Sequence, residues 1–472
     1  MTQNLWINGE FIATENYQSL LSPFTEGEIE QVAIGKEQHV QAAIKAAEAA
    51  FATYKKMPAH QRADILDQVA RLLSDDKEDC ARLISQESAK PYTDALAEVE
   101  RTIMTYTFAA GEARRMYGQS IPMDAAPGGE NRVAYTKKEP LGVIGAITPF
   151  NFPMNLVAHK VGPALAAGNS VVLKPASQTP LSAYKIAGYF HQAGLPSGVL
   201  NVVTGKGSEI GKALTENETV KMITFTGSPS VGKMIRQNAG LKKVTLELGS
   251  NSAVIVDKDT NLAEHMPRIV KGAFAYQGQV CISVQRIFVE ETIYEEFVES
   301  FRKHTQSLIL GNPLEKDTDV SSMISKDELE RAQEWIEEAL RAGGKLLCGG
   351  ELEQGMLQPT AMLHVPEDVK IFCEEAFAPV VMINPFNDFE DAIREVNHSQ
   401  YGLQAGVFTQ NVQKAFYAAE ELEVGGVMIN DIPTFRVDHM PYGGVKESGM
   451  GREGIQYAME EMTEIKLISF KL

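Results

Sequence analysis

A cysteine and a glutamate set the chemistry open to this chain. Cys281 closes the run Tyr276-Gln-Gly-Gln-Val-Cys281 and precedes the strand-like stretch Ile282 to Val289; Glu247 ends the strand-like Val244-Thr-Leu-Glu247, 34 residues earlier. A thiolate adds to a carbonyl carbon, a hydride can leave the adduct, and a carboxylate can take a proton from the water that releases the acid. Each residue alone has a plainer reading. A lone cysteine is usually a small buried hydrophobe, and a glutamate at a strand end is usually solvated. The glycine-containing turn before Cys281, and the presence of a second reactive group, favour chemistry. Cys80, Cys348 and Cys373 keep the plain reading, and the two glutamates after Cys373 disfavour a thiolate there.

Other segments offer binding groups. In Thr148-Pro-Phe150-Asn151-Phe-Pro153 two prolines fix the backbone around an amide side chain. A rigid amide donor suits an oxyanion, although an asparagine serving turn geometry reads equally well. Lys174 ends the strand-like Ser170–Lys174 and could bond ribose hydroxyls or phosphate, or simply be solvated. Phe225-Thr-Gly227-Ser228-Pro229 reads as strand, tight turn and helix start, with proline at the first helical position. Free N–H groups there, with the Ser228 hydroxyl, can hold a pyrophosphate. Thr204-Gly-Lys-Gly207 is a weaker turn of the same kind.

The elements that must position these groups follow a rhythm. Apolar periodicity predicts helices over 38–54, 59–88 and 91–117, then a Pro/Gly-containing link, 118–129, and a strand from Arg132 to Lys137. From 141 short apolar runs at 142–147, 170–174, 199–203, 221–225 and 243–247 alternate with helix-like segments. That alternation predicts an α/β protein whose parallel sheet carries helices on both faces and binds ligands at the carboxyl ends of its strands. A second α/β segment begins near Ser252, with a strand at 286–290 and helices at 261–276, 293–308 and 326–342. It ends in the strand-like Gly426–Asn430 and a Pro/Gly-rich loop, 433–451. The last ten residues alternate like a strand without a local partner, a candidate for pairing across a subunit interface.

Composition narrows the function. At 472 residues two or three lobes are expected. A formal charge of −18 argues against a nucleic-acid or anionic-membrane surface. Four scattered cysteines and nine histidines without ligand-like spacing give no metal site. No signal pattern opens the chain and no apolar run approaches the roughly 18–20 residues that span a bilayer. The expectation is a cytoplasmic protein that touches neither membrane nor nucleic acid.

Taken together, TPFNFP at 148–153, LKPASQTP at 173–180, FTGS at 225–228, LELG at 246–249, GQVC at 278–281, EEAFAP at 374–379 and PYGGVKESG at 441–449 resemble the aldehyde dehydrogenase superfamily along essentially the whole chain. The wording GQVCISVQR and FRVDHMPYGG looks most like its lactaldehyde-dehydrogenase branch. The resemblance implies Cys281 as nucleophile, Asn151 and the Cys281 N–H as oxyanion donors, and Glu247 as the base of deacylation. It implies NAD or NADP as cofactor, with Lys174 on the adenosine ribose, Gly227 and Ser228 at the pyrophosphate, and Glu375 on the nicotinamide ribose. Phe377 and Phe150 would pack nearby. It further implies a dinucleotide domain over 1–117 and 141–247, a catalytic domain over 248–450, and an oligomerisation arm from 118–140 and 457–472, building a homodimer or homotetramer.

Three departures matter. Ser177 stands where members that prefer NAD often carry a glutamate; serine does not repel a 2′-phosphate, so NADP use is expected, alone or beside NAD. Phe150 replaces the usual tryptophan, and Ser250 follows Leu248-Gly249 where the family has a second glycine. Relatives that pass the acyl group to coenzyme A typically lack the base, so Glu247 favours hydrolysis to the free acid. For the substrate, Arg436, His439 and His159 are candidates to recognise a small hydroxylated or acidic aldehyde, each also readable as a surface or salt-bridged side chain. The alternatives are a non-phosphorylating oxidoreductase of glyceraldehyde 3-phosphate, or a non-catalytic binding protein on the same scaffold.

Overall fold

The computed structural model describes residues 2–472. Two large sheets organise them. The first has eight strands, of which Lys243–Glu247, Val220–Thr226, Val143–Ile147, Ser170–Lys174 and Leu200–Val202 lie side by side in that order, all parallel. Gly449–Met450 adds antiparallel to Lys243–Glu247 at one edge, and Leu5–Ile7 with Glu10–Ile12 closes the other. All residues of Val143–Ile147 and Ser170–Lys174 are buried, because helices cover both faces. Tyr92–Ala113, Asn155–Ala167 and Leu181–Gln192 pack on one side, Glu37–Tyr54 and Gly207–Glu216 on the other. Asn155–Ala167 is buried along its whole length, pressed between the sheet and the helices Tyr92–Ala113 and Ile455–Glu461.

The second sheet has seven strands. Thr360–Leu363, Val380–Phe386, Arg286–Glu290, Ala253–Val256, Gln404–Phe408 and Gly426–Ile429 run parallel, and Lys345–Cys348 joins antiparallel at the edge. No helix among the described residues is long and apolar enough to cross a membrane.

Three expectations change. The long helix 59–88 is two helices, Ala59–Asp75 and Lys77–Ser88, interrupted at Asp76, which leaves helical geometry and bonds Tyr189 and Lys185 of another helix. The strand predicted from Ile282 begins only at Arg286, so Cys281 sits in irregular backbone. The terminal strand Thr463–Lys471 has its partner within the chain: it pairs antiparallel with Arg132–Pro140 over nine residues, from Thr463↔Pro140 to Lys471↔Arg132. The sequence distance between the two strands hid that pairing. Ser120–Ile121 completes this small third sheet.

Candidate active site

The first sheet supplies binding groups from the carboxyl ends of neighbouring strands. Glu247, Thr226, Ile147 and Lys174 end four of them, and the loops after Thr226, Ile147 and Lys174 open onto one cleft of about 810 Å³. Phe150, Lys174, Ser177, Gly227 and Ser228 all line it. Ser228 stands at the N-cap position of Pro229–Asn238 without a capping bond from its hydroxyl, and proline takes the first position, so the helix start leaves its free N–H groups at the cleft. Burial pulls the Lys174 ammonium down to about 8, and its Nζ donates to the Pro175 carbonyl at 3.0 Å. Ser177 Oγ reaches the Gly205 carbonyl at 3.5 Å, and no carboxylate stands at that position.

The second sheet works from its opposite end. Cys281 lies just before Arg286–Glu290, and Glu375 and Phe377 just before the adjacent Val380–Phe386. The amino ends of one sheet therefore face the carboxyl ends of the other. Phe377 meets Phe150 edge-on at 5.7 Å across the gap. Glu375 Oε1 accepts the Ser250 N–H at 3.0 Å, and burial raises its carboxyl to about 7. Gly249 makes room for it: a Cβ there would stand 2.5 Å from Glu375 Oε2.

Cys281 is half-buried, and burial pushes its thiol up to about 12, with Glu375 and Glu247 adding to the rise. Its Sγ lies 3.0 Å from the Tyr442 hydroxyl. Asn151 Nδ2 donates to the Gln279 carbonyl at 2.9 Å, which fixes the amide two residues from Cys281; the second hydrogen of that NH₂ group is left for another acceptor. Glu247 is buried, and neither carboxylate oxygen has a hydrogen-bond partner. Burial and the neighbouring Glu453 raise its pKa well above the usual range. A neutral carboxyl poised to become a base is the result.

The turn before Cys281 is strained. Tyr276 and Gln277 both adopt left-handed backbone, φ 47° and 54°, which costs a non-glycine residue about 1–3 kcal/mol. Side chains hold it there. Tyr276 Oη donates to the Ser88 carbonyl at 3.2 Å, Gln277 Nε2 donates to Ala89 at 2.9 Å and Ser322 at 2.7 Å, and the Tyr276 N–H reaches Asp94 at 3.2 Å.

The three substrate candidates part company. Arg436 Nη2 donates to Glu453 at 2.9 Å and lies 3.2 Å from His159 Nε2, and its guanidinium covers the Tyr442 ring at 3.7 Å. Its Nε is buried without a partner. His159 Nε2 also meets Asp438 at 2.8 Å, and Asp438 binds Arg101 at 2.8 Å. His439 is exposed, its ring against Phe108 at 4.8 Å. Sequence reasoning missed Tyr442, Glu453, Lys160 and Arg101. Lys160 had a signal: a lysine on an otherwise small and apolar helical stretch needs a partner, which is Glu453 at 3.0 Å.

The chain matches the profile of the Aldehyde dehydrogenase family over residues 11–468. It is 46% identical over 468 residues to the 3-sulfolactaldehyde dehydrogenase of Priestia aryabhattai, covering 99% of this chain and 98% of that protein. Among solved structures it is similar to aldehyde dehydrogenase 21 of Physcomitrella patens in complex with the reaction product succinate, at TM-score 0.97 and 39% identity, with 100% and 98% of the two chains covered. It is also similar to the glyceraldehyde-3-phosphate dehydrogenase of Methanocaldococcus jannaschii complexed with NADP, at TM-score 0.94 and 40% identity, covering 97% and 100%.

Proposed function

The chain belongs to the aldehyde dehydrogenase family, and on that footing we propose that it oxidises a short anionic aldehyde, hydroxylated or semialdehyde in type, to the free acid at Cys281 with NADP or NAD. The observation that carries the substrate class is the placement of Arg436. Its guanidinium lies on the ring whose hydroxyl touches Cys281 Sγ, and its Nε is an unused buried donor. Burial alone would pull this guanidinium down; Glu453, Tyr442 and Asp438 outweigh it and keep the charge. A fixed cation two contacts from the nucleophile suits an aldehyde with an anion a few bonds from its carbonyl. The three similar proteins fit that class: one is named for a sulfonated hydroxyaldehyde, one holds succinate, one is named for a phosphorylated hydroxyaldehyde.

The geometry supports these roles. Cys281 adds to the carbonyl carbon; the second Asn151 amide hydrogen and the Cys281 N–H hold the oxyanion. The cleft fits a dinucleotide: the helix start at Ser228–Pro229 takes the pyrophosphate, Lys174 a ribose, and Ser177 leaves space for a 2′-phosphate. Bound there, the nicotinamide supplies the hydride acceptor. Glu375 orients the nicotinamide ribose, and Phe150 and Phe377 flank it. Glu247 takes a proton from the water that frees the acid. In this reading residues 1–117 and 141–247 form the dinucleotide domain and 248–450 the catalytic domain.

The small third sheet exposes Val133, Tyr135, Ile465, Leu467 and Phe470. We read it as the arm on which a second copy docks, giving a homodimer or homotetramer. Four unpaired cysteines suit a reducing, cytoplasmic setting.

Initial rates with NAD and NADP over sulfolactaldehyde, lactaldehyde, succinate semialdehyde, glyceraldehyde 3-phosphate, benzaldehyde and hexanal test the reading. Best kcat/KM on an anionic aldehyde supports it, and a sharp preference for the phosphate ester selects the glyceraldehyde 3-phosphate alternative. Best rates on hexanal or benzaldehyde overturn the role of Arg436.

A further inference from the structure

We propose that Tyr442 is a catalytic residue: its phenol O–H is the donor that holds the Cys281 sulfur when it carries charge, and Arg436 is the positioning residue that aims and strengthens that donor. The inference rests on the reading of Cys281 as nucleophile. Among the described residues, Tyr442 is the one hydrogen-bond partner of Sγ, at 3.0 Å. The hydroxyl is not free to wander. Tyr442 is buried, its N–H bonds the Glu453 carbonyl at 3.1 Å, and the Glu453 N–H bonds the Tyr442 carbonyl at 2.7 Å. The Glu453 side chain then fixes Arg436 at 2.9 Å, and the Arg436 guanidinium returns to the Tyr442 ring at 3.7 Å. These three residues close a triangle, and Lys160 pins its Glu453 corner to the buried helix Asn155–Ala167. A cation on the ring face withdraws electron density and makes the phenol a better donor.

Cys281 needs such a donor. Glu375 and Glu247 face it, and each opposes a thiolate once ionised, as does burial; the Tyr442 hydroxyl and the Arg436 charge favour it. Arg436, Glu247 and Cys281 are the charged or titratable groups that face Tyr442 in turn. On ionisation the S–H bond breaks, its electron pair stays on sulfur and the proton leaves to water. Tyr442 keeps its own proton throughout, since burial sets the phenol's ionisation well above its usual value. It therefore donates a hydrogen bond rather than a proton.

Tyr442→Phe removes one oxygen and keeps the ring and the stacked cation. The test is the rate of Cys281 alkylation by iodoacetamide against pH, with the labelled peptide identified by mass spectrometry. The expected result is an alkylation profile moved to higher pH, with alkylation and kcat about tenfold or more lower near neutrality and KM for NADP unchanged. Bound-NADPH fluorescence equal to wild type shows that the variant is folded. An unmoved profile overturns the proposal, because a merely packing ring would leave the thiol's titration alone. Cys281→Ala separates the two readings: full aldehyde oxidation in that variant removes the nucleophile itself, whereas a dead Cys281→Ala beside an unmoved Tyr442→Phe profile removes only the role of Tyr442.

Discussion

Lys90 and Glu98 form an ion pair sealed from solvent between the two loops that carry the proposed chemistry. Glu98 Oε1 accepts the N–H groups of Met154 and Asn155 at 2.9 and 3.1 Å, just after Asn151. Lys90 Nζ lies 3.8 Å from the Phe152 ring centroid and 4.6 Å from that of Tyr276, on the strained turn before Cys281. One pair thus braces the loop after Asn151 on one side and the turn before Cys281 on the other.

Breaking that pair strands a buried charge, which costs about 3–5 kcal/mol. Lys90→Met is expected to lower the melting temperature by about 3–5 °C and to reduce kcat more than it raises KM. Adding Glu98→Gln neutralises the remaining charge while keeping an acceptor for Met154 and Asn155. The double variant is therefore expected to regain part of the loss. Thermal melts of the two single variants and the double variant check this; simple additivity would deny the coupling.

Glu247 should split the reaction in time. Its raised pKa means that the base form appears as pH rises, so deacylation is expected to speed up with pH through that raised value. Stability moves the other way. Between the usual carboxylate range and its raised folded value, the folded chain holds more protons than the unfolded chain, so stability falls as pH rises across that window. Glu247→Gln is expected to keep a first burst of reduced cofactor and to lose steady turnover by about 10²–10⁴. Stopped-flow absorbance of the reduced nicotinamide distinguishes burst from steady state; loss of the burst itself would place Glu247 before hydride transfer.

The strand ends were legible because parallel sheets announce themselves as apolar runs between helices, so Glu247, Lys174 and Ser228 could be placed at one edge from the sequence. The ion pairs were not. Lys90 with Glu98, Lys160 with Glu453 and Arg436 with Glu453 are tertiary facts, the second bridging 293 residues, and hydropathy shows only charges in apolar company. Left-handed Tyr276 and Gln277 were also hidden, since neither residue type favours that backbone. Arg436 could be named from the sequence as a candidate for the substrate, but its place on the Tyr442 ring could not. The terminal strand showed its alternation but not its partner.

Cofactor choice should turn on residue 177. A carboxylate there would face the 2′-phosphate, and like charges at about 4 Å cost about 1 kcal/mol in water and more in a cleft. Ser177→Glu is expected to raise KM for NADP about fivefold or more and leave KM for NAD nearly unchanged. Steady-state rates with both cofactors decide it; an equal change in both would remove Ser177 from the 2′ position.

Two glycines separate a binding role from a folding role. Alanine at Gly249 would place its Cβ 2.5 Å from Glu375 Oε2, the far end of a flexible side chain. The carboxylate can swing away, so Gly249→Ala is expected to melt near the wild-type temperature. Its KM for the cofactor should rise about tenfold, the effect of losing one charged hydrogen bond to ribose. Alanine at Gly278 meets backbone instead: φ is +67° and the Cβ would stand 2.1 Å from the Ala378 carbonyl oxygen. That carbonyl cannot yield without moving the Glu375–Phe377 segment, so Gly278→Ala is expected to lose stability as well as cofactor affinity. Calorimetric melts beside cofactor titrations compare them. A Gly249→Ala enzyme with unchanged cofactor KM would show that Glu375 does not hold the ribose.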